Sequence, residues 1–150
     1  MASIEQMEEQ IIHEFQQMES VDEKYATLFR IGDSLPEMDP GLKTEHNRVK
    51  DCQSTVWFHL RTDDEGRCYL SADSDSMVIK GITALLARLI AGHKPDELIS
   101  ISMNFLNQIE IWKLPSQRNS GLMAMLDHIK TDARQIMNEI RDRGSGDEHP

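Results

Sequence analysis

Ile4, Met7, Ile11, Phe15 and Met18 recur at steps of three and four, which predicts an amphipathic helix near the N-terminus. Ser3 followed by Gln6 has the form of a capping box at its start. A second helix is predicted from Ser20, with Glu23 as the box partner, Tyr25, Leu28 and Phe29 on the inner face, and Gly32 as the stop. Leu35-Pro36 and Asp39-Pro40-Gly41 then read as a loop. The period changes to two at Thr55 to Arg61, where Val56, Phe58 and Leu60 alternate with Thr55, Trp57 and His59. Asp63-Asp64-Glu65-Gly66 is a turn, and Arg67 to Ala72 returns as a second strand. A short third strand is expected near Asn47 to Lys50. A lone hairpin is marginal in water, so helices must cover its apolar face.

Asp73-Ser74-Asp75-Ser76 offers several N-caps to a helix over Met77 to Ala91, ended by Gly92, and Asp75 is most simply one of those caps. Apolar residues surround most of this helix, which makes it the central buried one. Gly81 sits inside it, where glycine costs about 1 kcal/mol relative to alanine. A closely approaching backbone is the expected reason, either the sheet or the loop before the first strand. Short helices are expected over Pro95 to Ser100 and Asn104 to Ile109. Leu122, Leu126, Ile129, Ala133, Ile136 and Ile140 form a stripe along a last helix from about Ser120 to Arg143. Residues 144–150 read as a flexible tail after a single domain over 1–143. The predicted class is α+β, a small antiparallel sheet of about three strands packed against several helices.

Composition acts mainly by exclusion. The 150 residues carry 16 Lys plus Arg against 26 Asp plus Glu, a net charge of −10. No basic stripe is available to neutralise phosphates, so nucleic acid is not expected as a partner. An electrostatic membrane anchor is excluded on the same ground. Met1 to Gln10 lacks the basic and apolar regions of a signal peptide, and Met77 to Ala91 is too short and too charged to span a bilayer. Two cysteines make a poor disulfide framework, so a cytoplasmic protein with reduced thiols is expected. The six histidines form no ligand pair at useful spacing with a cysteine, and there is no C-x-x-C, so no metal site is expected. Neither a glycine-rich phosphate loop nor a nucleophile elbow is present.

The chemistry that remains is in the cysteines. Cys68 shares the alternation of Leu70 and reads as a small buried hydrophobe. Cys52 follows His46-Asn47-Arg48-Val49-Lys50 and precedes the first strand, so it lies at a loop tip against a rigid element. Arg48 and Lys50 would favour a thiolate there, whereas free cysteines are commonly inert. From position alone the inert reading is preferred.

Asp51-Cys52-Gln53-Ser54-Thr55-Val56-Trp57 resembles the active-cysteine motif of the SufE family, G-C-Q-S-x-V-W. Asp73-Ser74-Asp75 followed by Lys80-Gly81 is similar to that family's D-S-D-x-x-x-x-K-G segment, and Arg118 with Gly121-Leu122 to its R-S-x-G-L segment. Pro36-Glu37 resembles the L-P-E of the loop before the cysteine. The matches come in family order over roughly Ser20 to Lys130. The resemblance implies an α+β fold shared with IscU-like scaffolds. It implies a sulfur acceptor of iron–sulfur cluster assembly, in which Cys52 takes persulfide sulfur from a SufS-like cysteine desulfurase. The acceptor stimulates that enzyme and passes the sulfur to a downstream scaffold complex. The acceptor needs no cofactor of its own, since the pyridoxal phosphate belongs to the desulfurase. Arg118 would support the loop or the anionic persulfide, and Asp51, Gln53 and Ser54 would shape the loop. A monomer or weak homodimer is expected. Two rival readings are a cluster scaffold of the related fold, which needs three or more clustered ligands, and a non-catalytic interaction module. One departure stands out: Asp51 occupies the place of the family glycine, which permits positive φ more readily.

Overall fold

A computed structural model describes residues 2–109 and 116–147, with the side chains of residues 103, 116–120 and 144–147 outside the description. Helix α1 (Ile4–Gln16) starts at the expected capping box, in which Ser3 and Gln6 each accept the other's backbone N–H. Helix α2 (Val21–Asp33) starts at Ser20, whose Oγ accepts from Glu23 N–H. Glu23 returns its carboxylate to Glu19 N–H rather than to the cap residue. The hairpin is β1 (Val56–Thr62) and β2 (Cys68–Ser74), antiparallel with Val56 opposite Ser74 and Leu60 opposite Leu70. Val56, Phe58 and Leu60 face the core as their alternation requires. Helices α3 (Met77–Ile90), α4 (Pro95–Leu98), α5 (Met103–Gln108) and α6 (Ser116–Asp147) follow. No described helix is long and apolar enough to cross a membrane.

The expected third strand is a single bridge. Arg48 pairs with Trp57 through Val49 N–H to Val56 O and Phe58 N–H to Asn47 O, and the pairing goes no further. Asn47 turns its buried side-chain amide away, donating to Leu42 O at 2.8 Å. Helix α6 starts before Ser120 and runs through Asp147, taking in residues 144–147 of the segment read as a tail. Its apolar stripe is buried from Leu122 to Ala133, but Ile140 is 47 % exposed because the helix outruns the core.

Helix α3 is the hub of the core, with Ile82, Leu85, Leu86, Leu89 and Ile90 fully buried. Its partner at Gly81 is neither the sheet nor the cysteine loop but helix α2. A Cβ at Gly81 would stand 2.5 Å from the Leu28 carbonyl oxygen, and one at Gly32 would stand 3.0 Å from Gly81 N. Gly32 is therefore buried on the inner face of α2, not its stop, and Ser34 caps the helix end. Two glycines facing each other let the backbones touch, and any side chain would have to part them. On the outer flank, Arg88 of α3 forks onto Glu14 of α1 at 2.7 and 3.0 Å.

Glu8 is the one buried carboxylate of α1, accepting Ser102 N–H at 3.3 Å, and burial pushes its pKa up. A raised folded pKa means that the native state binds this proton more tightly than the unfolded chain. Stability is then lost as pH rises through the raised value. Glu8→Gln keeps the acceptor and removes the charge. We expect this variant to be more stable than the parent at pH 8, with the difference vanishing near pH 4, read by urea unfolding across that range. Gly81→Ala should cost about 1–3 kcal/mol by the same measurement, since overpacking against a backbone carbonyl outweighs the gain in helix propensity. A variant as stable as the parent would mean that the two helices part freely.

Candidate functional site

The cysteine loop spans the residues between Val49 and Val56, which are joined by a backbone hydrogen bond of 2.9 Å. The entry is held by the Arg48–Trp57 bridge described above. The exit is held by Asp75, whose Oδ1 accepts Thr55 N–H at 3.0 Å while its own N–H donates to Thr55 O at 3.2 Å. Asp75 is thus not the cap of α3. Ser76 takes that role, accepting Ile79 N–H. The carboxylate of Asp75 instead fixes the third residue after Cys52.

The rest of the Asp73-to-Gly81 segment is built around the same loop. Asp73 binds Lys43 Nζ at 2.8 Å and lies 3.8 Å from Lys80 Nζ. Burial alone would push the Asp73 carboxyl up, but the hydrogen bond from Lys43 and that from Ser74 N–H hold it below the usual range. Lys43 also lies over the Trp57 ring at 5.1 Å from its centroid, a cation–π contact. One carboxylate therefore ties the loop before Cys52, strand β1 and helix α3 together.

Asp51 has φ 61°, making it the one non-glycine residue with positive φ among those described. This is the left-handed conformation that glycine adopts freely and that Asp and Asn tolerate better than other side chains. It turns the chain so that Cys52 follows partly buried, packed against the edge of the core. The Cys52 Sγ lies against the first turns of α6, 3.6 Å from where a Cβ on Gly121 would be. Gln53 is exposed and Ser54 half-buried. Arg118 lies three residues before Gly121 in α6, and its side chain is outside the described residues. Pro36 and Glu37 are exposed, beside the buried Met38.

A groove of about 290 Å³ runs from the loop along α6. His46, Arg48, Lys50 and Asp51 line one wall, and Asp127 and His128 of α6 stand on the other. Arg48 and Lys50 both pair with the carboxylate of Glu45, at 3.8 and 3.4 Å. Cys68 is fully buried, and burial pushes its thiol up to about 11, as its reading as a core hydrophobe requires. Both cysteines are free. Among the described residues, no three His, Cys, Asp or Glu side chains converge as metal ligands. Sequence reasoning missed two parts of this site, the tie from Asp75 and the seat at Gly121. The only available signal was their place in family-like segments.

The SufE family, described as an Fe-S metabolism associated domain, matches residues 9–133. The chain belongs to the SufE family. It is 32 % identical over 129 residues to SufE-like protein 1 (chloroplastic/mitochondrial) of Arabidopsis thaliana, covering 85 % of this chain and 35 % of that one. A SufE-like protein of Rhizobium meliloti is 29 % identical over 130 residues, covering 83 % of this chain and 93 % of its own. A chloroplastic quinolinate synthase of Nicotiana tabacum matches over 102 residues at 36 %, 67 % of this chain but 14 % of that one. The chain thus spans about a third of the Arabidopsis relative and a seventh of the tobacco one. In three dimensions a hypothetical protein from Thermus thermophilus, solved in solution, superposes with TM-score 0.72 at 21 % identity, covering 88 % of this chain and 96 % of its own. The likeness is one of fold, the α+β arrangement described above. Membership of this SufE family connects the chain to iron–sulfur metabolism.

The left-handed turn at Asp51 separates two effects. Asp51→Gly removes both the strain and the neighbouring carboxylate, whereas Asp51→Asn keeps a residue tolerant of this turn and removes only the charge. Both variants should alkylate Cys52 faster at neutral pH, and Asp51→Gly should be at least as stable as the parent, by up to about 1 kcal/mol. Rates of iodoacetamide labelling and urea midpoints check this. A slower or equal rate in both would refute the electrostatic part.

Proposed function

We propose that this protein is a sulfur acceptor that works beside a cysteine desulfurase in iron–sulfur cluster assembly. Cys52, as thiolate, attacks the outer sulfur of the persulfide on the enzyme. A new S–S bond forms at Cys52 as the enzyme's S–S bond breaks, and the enzyme's cysteine leaves as a thiolate. The exchange is isoelectronic, akin to thiol–disulfide exchange, and needs no external oxidant or reductant. The Cys52 persulfide then gives its outer sulfur to a downstream cluster scaffold by the same chemistry. Docking of the acceptor stimulates the desulfurase by relieving it of its persulfide. Pyridoxal phosphate belongs to the desulfurase, and the acceptor itself carries no cofactor in this reading.

The observation that carries the proposal is the position of Cys52. It is a partly exposed thiol at the tip of a loop clamped at both ends, in a chain of the SufE family. Clamped ends fix where the nucleophile is presented, at a turn that leaves the thiol partly exposed to a partner. Asp51, Gln53 and Ser54 shape that tip, and Arg118 supports it or the persulfide anion. The buried Cys68, with its raised pKa, takes no part.

The protein is mixed with a cysteine desulfurase, cysteine and pyridoxal phosphate, and intact mass is recorded under non-reducing conditions. One added sulfur atom is expected in the parent and in Cys68→Ala, and none in Cys52→Ser. Desulfurase turnover with Cys52→Ser should fall to the level measured without the protein. Stimulation undiminished in Cys52→Ser would instead support an interaction module in which the thiol is incidental.

A further inference from the structure

The edge of β1 that faces away from β2 is filled only at its start. Val56 O and Phe58 N–H point to that side, where Val49 and Asn47 pair with them. The alternation of a strand then sends the N–H and C=O of Leu60 and Thr62 to the same side. Leu60 is only 7 % exposed. Among the described residues, nothing pairs with its backbone N–H or C=O, nor with those of Thr62. Backbone groups in buried residues are almost always paired, so the ladder has an unfilled strand position here. The position is well inside the described chain. Gln135, which flanks it on α6, stands roughly 28 Å along the helix from Ser116 and roughly 18 Å from Asp147.

We infer that this edge of β1 is a docking site for an extended, basic segment of a partner protein, which adds to the hairpin as a strand. A groove of about 280 Å³ runs between the edge and α6. His46, His59 and Leu60 line its strand side, and Asp132, Ile136 and Glu139 line its helix side. A residue paired with Leu60 carries its side chain on the same face as Leu60, the face covered by α6, and so do its neighbours two positions away. These side chains meet aliphatic carbon at Ile136 and carboxylates at Asp132 and Glu139. Glu139 is exposed, and its carboxylate has no ion-pair partner among the described residues. One apolar residue with Lys or Arg two positions to either side matches that wall. Beyond Glu139 the lining becomes mixed in charge, with Arg141 and Arg143 near the acidic hairpin turn, so the matching basic stretch is short. A second copy of this chain is a poorer occupant, because it brings a net charge of −10 to the same carboxylates. The inference stands apart from the sulfur-acceptor reading, since Gln135 lies roughly 21 Å along α6 from Gly121, where Cys52 is seated.

The full-length protein, labelled for amide NMR, is titrated at low ionic strength with the synthetic peptide acetyl-TKTVTKT-amide. The Leu60 and Thr62 amide resonances should shift first, and their protons should exchange more slowly with solvent. Glu139→Lys, a change at an exposed helix position that should leave the urea midpoint in place, should weaken binding on the order of fivefold. A peptide N-methylated at its central valine keeps every charge but loses the N–H that faces Leu60, and it should not bind. Absence of binding at millimolar peptide overturns the inference. So does binding that survives N-methylation, that is as tight with Glu139→Lys, or that perturbs residues other than the β1 edge and its groove, since each would mean diffuse attraction to an acidic surface. Shifts at Leu60 that grow with protein concentration in the absence of peptide would assign the edge to a second copy and overturn it as well.

Discussion

The direct backbone contact between α2 and α3, at Gly32 and Gly81, is the constraint on which the rest of the structure depends. It sets α3 as the central element of the core. The segment that leads into α3 carries Asp73 and Asp75, so the position of α3 also places these two carboxylates. Asp75 holds the exit of the cysteine loop, and Asp73 joins Lys43, and through it Trp57, to the same corner. A buried helix crossing is thereby linked to the placement of a surface thiol through two short polar ties. Neither tie would have a fixed geometry if the helices could separate.

The local electrostatics of the loop are mixed. Asp51 stands next to Cys52, and the nearby cations Arg48 and Lys50 are engaged by Glu45. What the loop supplies is presentation. Its ends are hydrogen-bonded, its direction is set by a left-handed turn, and its sulfur lies against Gly121 of α6. That combination is compatible with the sulfur relay proposed above.

The family and the elements of the fold were legible along the chain because both are local. Helical stripes, the alternation of Val56, Phe58 and Leu60, and the run from Asp51 to Trp57 can be read without knowing what touches what. The roles of single polar residues were less legible. Asp75 has the sequence context of an N-cap, and Ser76 beside it has the same context. Only the return of β2 alongside β1 brings Asp75 to Thr55, twenty residues earlier, where the carboxylate finds a backbone donor that no local rule anticipates. Gly32 likewise has the context of a helix stop, and became an interior contact because α3 crosses there.

Local patterns along the chain were enough for the element types, the hairpin, the buried character of Cys68 and the identity of the candidate nucleophile. Each follows from side-chain periodicity or from a contiguous motif. Tertiary structure alone decided that the third strand is a single bridge, that Gly81 meets α2, and that Cys52 rests on Gly121. These are contacts between segments distant in the chain, and their partners are chosen by how the assembled helices pack, which short-range patterns do not encode.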